Sequence, residues 1–320
     1  MQALKRIGID NYMLMLVGMV VLGLILPARG VAADGLRGLT FWAVTLLFFL
    51  YGAKLDPASV RAGLLNWRLQ GLTFGATYLL FPVLGLILAA AFGGLLGPEL
   101  TLGLLFLCVL PSTVQSSIAF TSIAGGNVPA AICAASLSNL IGVALTPFLV
   151  AQLLHHDGGG ISLDAIEKIA LQILLPFILG QILRPWIGAF VQRHKLLTMV
   201  VDRGSILLIV YSAFGAGTVA GIWSAIPVPA MALCLAVVAL LLALVMGVMV
   251  AMGRLTHLPP ADQAVLFFCG STKSLASGLP IATAIFPAAT VGATVLPVMI
   301  YHMTQLLVCS AIAQRLARRA

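Results

Sequence analysis

Lys273 is a single cation inside the run FFCGSTKSLASGLPIATAIF, which is apolar and long enough to cross a lipid bilayer. A cation at the centre of a bilayer costs about 3 kcal/mol on insertion scales, so it normally faces a protein interior or a watery cavity and marks a functional pathway. The alternative is a lysine near a segment end, which snorkels to the interface. Asp262 and Pro287 bracket the run and put Lys273 near its middle, which favours the pathway.

A second apolar run, LLFLCVLPSTVQSSIAFTSIAGGN, carries a comparable polar interruption. Proline removes a backbone donor and glycine weakens a helix by about 1 kcal/mol, so neither run favours a continuous helix. Backbone groups freed at membrane depth are tolerated only where they line a cavity or are buried in protein. Close packing of small residues between helices is the alternative explanation. The interrupting polar residues are Ser112, Thr113, Gln115, Ser116 and Ser117 in this run, and Ser271, Thr272, Lys273, Ser274 and Ser277 in the other.

The composition defines the class of protein that must position these residues. Apolar residues make up 61% of the 320 residues, charged residues only 8%, and the mean hydropathy is +1.14, which excludes a soluble globule. We therefore predict an all-α polytopic membrane protein with ten membrane-spanning helices. The apolar runs lie near 11–27, 38–53, 69–92, 99–123, 128–152, 165–183, 204–222, 229–252, 263–286 and 289–313.

The distribution of Lys and Arg predicts the orientation. With both termini in the cytoplasm, only Arg29, Arg37 and Lys168 lie on the opposite side of the membrane. The expected location is the plasma membrane, which is the inner membrane if the source is bacterial. The net charge of +8 is explained by this bias and requires no nucleic-acid partner. The cytoplasmic basic residues are then Lys5, Arg6, Lys54, Arg61, Arg68, Arg184, Arg193, Lys195, Arg254, Arg315, Arg318 and Arg319.

The polar connection at 155–168 divides the chain into two halves. Five apolar runs precede it and five follow, so the halves enter the membrane from opposite sides, as in an inverted repeat. Repeat one covers about 11–152 and repeat two about 165–314, within a single membrane domain. Runs four and nine are then equivalent, and both are interrupted. Paired interruptions of this kind indicate a transport site.

Several other polar residues within the runs are candidates for the same site. Asn127 follows two glycines, where an ordinary turn is the alternative. Ser136, Ser138 and Asn139 could face the interruptions or simply hydrogen-bond between helices. His302 and Gln305 share one helix face at i, i+3 spacing, where a helix contact is the alternative to a proton carrier. The five cysteines stand singly and do not form a metal-binding pattern.

Three segments, GNVPAAICAASLSNLIGVALTPFLV, ADQAVLFFCGSTKSLASGLP and LPVMIYHMTQLL, closely resemble the bile acid:sodium symporter superfamily, and specifically its SBF-like branch within solute carrier family 10. The resemblance covers nearly the whole chain. It implies two inverted five-helix repeats, a panel of spans 1, 2, 6 and 7, and a core of spans 3–5 and 8–10. In that fold the broken spans 4 and 9 cross at mid-membrane.

The departures from the family pattern concern the sodium sites. In the symporters of known mechanism, span 4 carries a Ser-Asn pair and span 9 carries a glutamate followed by a Gln-Asn pair. Here span 4 has Ser116 and Ser117, and the stretch from Ser271 to Ser274 contains no carboxylate. All nine acidic residues are expected at span ends or in loops. Lys273 should therefore be held by carbonyl and hydroxyl groups, or by an anionic substrate.

Two roles follow for Lys273 from this comparison. It could replace the bound sodium ion, or it could lose and regain a proton in each transport cycle. Either role predicts a secondary active transporter of a small organic anion in the lipid bilayer, working by alternating access, with no cofactor and with Na⁺ or H⁺ as the candidate coupling ion. The alternative is a membrane regulator or sensor on the same fold that does not transport. Catalytic motifs of the H-E-x-x-H and G-x-S-x-G types are absent, so we predict that the chain is not an enzyme.

Overall fold

The computed structural model describes residues 11–54, 66–153 and 170–318, and these ranges are helical with no β-strand. Short breaks separate most consecutive helices, and residues 55–65 and 154–169 lie outside the described part of the chain. The helices are α1 (Asn11–Ile25), α2 (Val31–Lys54), α3 (Trp67–Leu96), α4 (Pro98–Val109), α5 (Gln115–Ile123), α6 (Val128–Leu153), α7 (Leu175–Arg193, continuous with a π-helical turn at Ala170–Leu174), α8 (Lys195–Val219), α9 (Ile222–Ala225), α10 (Val228–Leu255), α11 (Pro260–Ser271), α12 (Leu275–Ile285) and α13 (Ala288–Ala317).

Eight of these segments are long and apolar enough to cross a membrane, among them the unit Pro260–Ile285 formed by α11 and α12. The predicted all-helical, multi-pass class is confirmed, whereas the number of ten spans stays a prediction. Several helices extend beyond the predicted runs: α2 begins at Val31 and α8 at Lys195. Hydropathy finds only the part of a helix within the hydrocarbon, about 30 Å long, and misses turns that continue into the headgroup region.

Two helices are broken near their middle. The chain is extended at Leu110, between α4 and α5, and at Thr272 and Ser274, between α11 and α12. The Ser274 N–H donates to the Pro111 carbonyl over 2.8 Å, so the two extended stretches contact each other directly. We call this contact the crossing. α4 and α11 are each 12 residues long, so the breaks fall at the same distance along both segments.

Two sets of helices around the crossing are named for the description that follows. α1 packs against α8 and α2 against α7, and we call these four helices the panel. We call α3 to α6 and α10 to α13 the core, in which α13 packs against α4 and α12. Gly52 and Gly180 let α2 and α7 approach until each glycine touches a backbone carbonyl of the other helix. The panel and the core enclose the polar residues considered next.

Candidate functional site

The Lys273 side chain is completely buried at the crossing. Its ammonium group donates to the backbone carbonyls of Thr77 at 2.8 Å, Cys108 at 2.9 Å and Leu110 at 2.6 Å. A lysine ammonium has three N–H donors, so each donor has one acceptor. The nitrogen also lies 4.1 Å from the centroid of the Phe81 ring, a favourable cation–π contact. The charge is therefore compensated by backbone carbonyl groups and without a carboxylate. Carbonyl groups were among the partners predicted for Lys273 from the sequence.

The three carbonyls are available because of local helix geometry. Cys108 and Leu110 are at the C-terminal end of α4, where the last carbonyls lack partners within the helix and carry partial negative charge. Thr77 lies in a π-helical turn, Ala76–Leu80, within α3. Such turns shift the hydrogen-bonding pattern of the backbone and occur often at functional sites. α3 and α4 therefore together form a cation site of three backbone carbonyl groups.

The main chain of Lys273 is also fully paired, although it lies outside any helix. Its N–H donates to Gln305 Oε1 and its carbonyl accepts from Gln305 Nε2, both over 2.8 Å. Gln305 Nε2 is also 3.0 Å from His302 Nδ1, and this contact requires Nδ1 to act as the acceptor. Because a buried unpaired backbone group is costly, Gln305 stabilises the extended conformation at Lys273.

Ser112 has an equivalent environment in the other broken segment. Aligning FLCVLPS, residues 106–112, with FFCGSTK, residues 267–273, pairs Ser112 with Lys273 and Cys108 with Cys269. The Ser112 hydroxyl donates to the Cys269 carbonyl over 2.6 Å, as the Lys273 ammonium does to Cys108. The Ser112 backbone is likewise paired by side chains: its N–H donates to Ser138 Oγ at 3.0 Å, and its carbonyl accepts from Asn139 Nδ2 at 2.8 Å.

A cluster of buried hydroxyl groups joins the two segments at the crossing. Thr272 Oγ1 is 3.1 Å from Ser112 Oγ, 3.1 Å from Thr113 Oγ1 and 2.8 Å from Ser117 Oγ. Ser116 donates to Thr113 over 2.8 Å. Within residues 11–54, 66–153 and 170–318, no group of three or more His, Cys, Asp or Glu side chains could hold a metal ion. The crossing is thus built from hydroxyl and carbonyl groups around one fixed cation.

A cavity of about 560 Å³ is lined by helices of both the panel and the core. It reaches the first residues of α5 and α12, so the N-terminal ends of two half-helices face it. The predicted site residues divide into two sets. Those lining the cavity are Thr113, Gln115, Ser116, Ser136, Asn139, Ser274, Ser277 and His302. Those that do not line it are Ser112, Ser117, Asn127, Ser271, Thr272, Lys273 and Gln305.

Asn127 lies apart from both the crossing and the cavity. Its side-chain oxygen accepts from the Ala130 N–H at 3.1 Å and so caps α6, while its amide donates to Asp262 Oδ1 over 2.8 Å. Asn66 contacts the other oxygen of Asp262 over 3.2 Å. These bonds fasten the ends of α3, α6 and α11 together.

Sequence reasoning missed the polar residues on the panel side of the cavity, which are Tyr12, Tyr51, Lys54, Asp202 and Arg203. We expected Asp202 at a span end, but α8 begins seven residues earlier, so its carboxylate lies within the helix and accepts from the Tyr51 hydroxyl at 2.9 Å. Charged residues at the margin of an apolar run look like ordinary interfacial residues. Only the length of α8 distinguishes them, and hydropathy does not report it.

Comparison with known proteins identifies the family. The model of the SBF-like CPA transporter family matches residues 10–318. The chain belongs to the SBF-like CPA transporter family. An uncharacterised Pseudomonas aeruginosa protein is 49% identical over 97% of this chain and 93% of its own length. An Escherichia coli protein provisionally named symporter YfeH is 45% identical over 97% and 94%. Sodium/bile acid cotransporter 7 of Rattus norvegicus is 24% identical over 98% and 94%.

Membership of the SBF-like CPA transporter family confirms the resemblance drawn from the three sequence segments. It makes the chain a multi-pass membrane transporter of this family and confirms that it is not an enzyme. The solute and the coupling ion are separate questions, because the names of the relatives describe those proteins only.

Proposed function

We propose that this protein is a secondary active transporter of a small organic anion that works by alternating access. The observation that carries the proposal is the cavity of about 560 Å³ between the panel and the core, which ends at the N-termini of the half-helices α5 and α12. A volume in this range suits a small organic molecule. The first N–H groups of a helix have no partners within the helix and carry partial positive charge, so two such ends favour an anion.

Equivalent contacts in the two halves support an inverted repeat. Ser112 and Lys273 each reach a C-terminal carbonyl of the opposite broken segment, and each has its backbone paired by side chains of α6 or α13. The contact of α1 with α8 likewise has its counterpart in the contact of α7 with α2. In an inverted repeat, rocking of one helix group against the other alternates access to a central site. The proposed topology has ten spans and both termini in the cytoplasm.

We further propose that the Lys273 ammonium replaces a bound sodium ion and that transport does not depend on sodium. Its three donors bond to carbonyl oxygens, the ligand type that hard cations such as sodium prefer. A second cation close to a fixed ammonium would be repelled. Lys273 does not line the cavity in this structure, which favours the fixed-charge role over proton exchange with the substrate site. Cotransporter 7 has sodium in its name, and the proposal for this chain differs from that name in requiring no sodium.

Transport can be tested with purified protein. A set of small organic anions is first screened by ligand-induced thermal stabilisation, and the best ligand is then used in labelled form for counterflow into proteoliposomes in sodium-free medium. We expect accumulation without sodium, loss of accumulation in Lys273→Met, and unchanged accumulation in Arg37→Gln, which removes an exposed charge. A strict sodium requirement, or full activity of Lys273→Met, contradicts the role proposed for Lys273.

A non-transporting sensor or regulator is the second candidate function. The observation in its favour is the lack of a carboxylate in the stretch from Ser271 to Ser274, where the resemblance to the bile acid:sodium symporters implies a glutamate. Such a protein would bind the anion in the same cavity, and the panel and the core would not rock. Binding without counterflow supports this candidate, whereas counterflow excludes it.

A further inference from the structure

The cavity has a second polar end, on the panel side. Lys54 at the end of α2 and Asp202 and Arg203 in the first turns of α8 all line it. Tyr12 and Tyr51 line the same end. These residues belong to the panel, whereas the half-helix N-termini and the hydroxyl cluster belong to the core. The cavity therefore has two polar ends carried by the two helix groups that face each other across it.

The cations at the panel end are not held in contact ion pairs. Within the described ranges, an N–O distance below 4.0 Å between opposite charges occurs only at Arg37 and Asp34, and neither of these residues lines the cavity. Asp202 instead accepts a hydrogen bond from the Tyr51 hydroxyl. The Arg203 guanidinium lies 5.0 Å from the Tyr12 ring centroid. A ring contact uses the face of a guanidinium and leaves its N–H edge for an oxyanion.

The charges at this end do not cancel. Lys54 and Arg203 contribute two positive charges and Asp202 one negative charge, so the end carries a net positive charge. A second anionic group fits this balance better than a second cationic group. Asp202 makes the end less attractive to a lone anion that is not also fixed elsewhere. A dianion whose first group is already bound offsets this repulsion, because capture of its second group is then intramolecular.

Apolar side chains from both helix groups also line the cavity. Leu16, Phe48, Phe177 and Ile206 contribute from the panel, and Leu140 and Val143 from the core. In the proposed topology Lys54 ends its helix near the membrane interface, and the crossing lies near mid-membrane. A polar group between the two ends would lose its hydration without a partner, so an apolar spacer is favoured.

We propose that the substrate is an organic dianion with an apolar spacer. One anionic group binds at the N-termini of α5 and α12, and the other binds at Lys54 and Arg203. This inference deepens the proposed function and rests on it. It also gives the panel a direct part in recognition, because a dianion contacts both helix groups at once and its binding is coupled to their relative position.

The test compares matched pairs of ligands on the purified full chain. Hexanoate is compared with hexanedioate, and octanoate with octanedioate, by measuring dissociation constants in a binding titration. We expect the better dianion to bind about tenfold more tightly than the monoanion of equal length, the effect of one added charge-assisted contact. Arg203→Gln and, separately, Lys54→Gln should remove about tenfold of dianion affinity and leave monoanion affinity within about twofold. Arg37→Gln is the control, since Arg37 is exposed and does not line the cavity.

Several results of the binding titration would contradict the dianion proposal. Equal affinities for monoanion and dianion overturn it, and so does an equal loss of both affinities in Arg203→Gln and Lys54→Gln. Binding by neither ligand series overturns it as well, while the separate anion screen and counterflow assay decide the proposed function. Tight binding of a monoanion with counterflow would keep the transport proposal and reject the dianion. A folded Arg203→Gln protein is recognised by an unfolding temperature equal to that of Arg37→Gln.

Discussion

At the residue scale, Lys273 shows how a buried charge can be stable without an opposite charge. Every ammonium donor has a carbonyl acceptor, an aromatic ring lies beside the nitrogen, and Gln305 pairs the main chain of the same residue. Carbonyl groups at a helix C-terminus stabilise the charge because the helix already orients them and gives them a partial negative charge. Side chain and backbone therefore both fasten the second broken segment to its neighbours.

Replacement of Lys273 by serine should make the protein respond to sodium. Lys273→Ser leaves the carbonyls of Thr77, Cys108 and Leu110 without a cation, and Na⁺ has the size and ligand preference to take the vacated position. We expect a lower unfolding temperature in potassium-free choline medium and partial recovery on addition of Na⁺, while the wild type does not respond. An identical sodium response of both proteins would contradict the fixed-cation role.

Loss of the Gln305 amide should destabilise the crossing. Gln305→Leu leaves the buried N–H and carbonyl of Lys273 unpaired, at a cost of about 1 to 3 kcal/mol for each group. We expect the free energy of unfolding in detergent to fall by about 2 to 6 kcal/mol. Thr304→Val is the matched control, because the Thr304 hydroxyl bonds only within its own helix to Ile300. Equal stabilities of the two variants would show that the pairing contributes nothing.

At the element scale, the panel depends on close approach of α2 and α7. A Cβ added at Gly180 would overlap the Phe49 carbonyl oxygen, and one added at Gly52 would overlap that of Phe177. Small residues at such contacts let helices pack through their backbones, which is the main source of packing energy between helices in lipid. The two reciprocal glycine contacts therefore set the spacing of this helix pair.

Gly180→Ala should force α2 and α7 apart. Overpacking of this kind costs about 1 to 3 kcal/mol. We expect a lower unfolding temperature in detergent and weaker anion binding, because Phe48 and Phe177 of these helices line the cavity. Gly71→Ala is the control, since a Cβ there meets no atom within 4 Å. A stability of Gly180→Ala equal to that of Gly71→Ala would show that the helix pair can relax at no cost.

At the scale of the whole molecule, the cavity is lined by the panel and the core, which contribute different polar groups to it. Alternating access requires the contacts across this cavity to change while each helix group keeps its own internal contacts. The hydroxyl cluster, Lys273 and Gln305 all lie within the core, and the Tyr51–Asp202 bond lies within the panel. None of these bonds needs to break for the two groups to move relative to each other.

A cysteine placed on the cavity wall should report this motion. Ala276 lines the cavity, whereas Ala282 on the same helix is buried, and all five native cysteines are buried. We expect a membrane-impermeant thiol reagent to label Ala276→Cys from the side of the N-terminus and to label Ala282→Cys much more slowly. The ligand found in the anion screen should protect Ala276→Cys. Equal labelling of the two cysteines, or lack of protection, would contradict the cavity as the access route.

The sequence alone determined the properties that depend on local composition. Apolar runs predicted a membrane protein, and prolines, glycines and hydroxyl residues predicted the two broken segments. The lysine without a nearby carboxylate predicted a functional site within the membrane. These features are readable because the bilayer imposes the same cost on every charge and every unpaired backbone group that it contacts.

The packing of the helices determines which polar residues line the cavity and which are buried away from it, and this cannot be predicted from the sequence. The Lys273 ammonium binds a carbonyl 165 positions away in the chain, and that carbonyl has no side-chain signature. The π-helical turn at Thr77 and the inward position of Asp202 depend likewise on packing between distant helices. Backbone acceptors are identical in every residue, so their use as a cation site follows from how the helices pack and cannot be read from residue types.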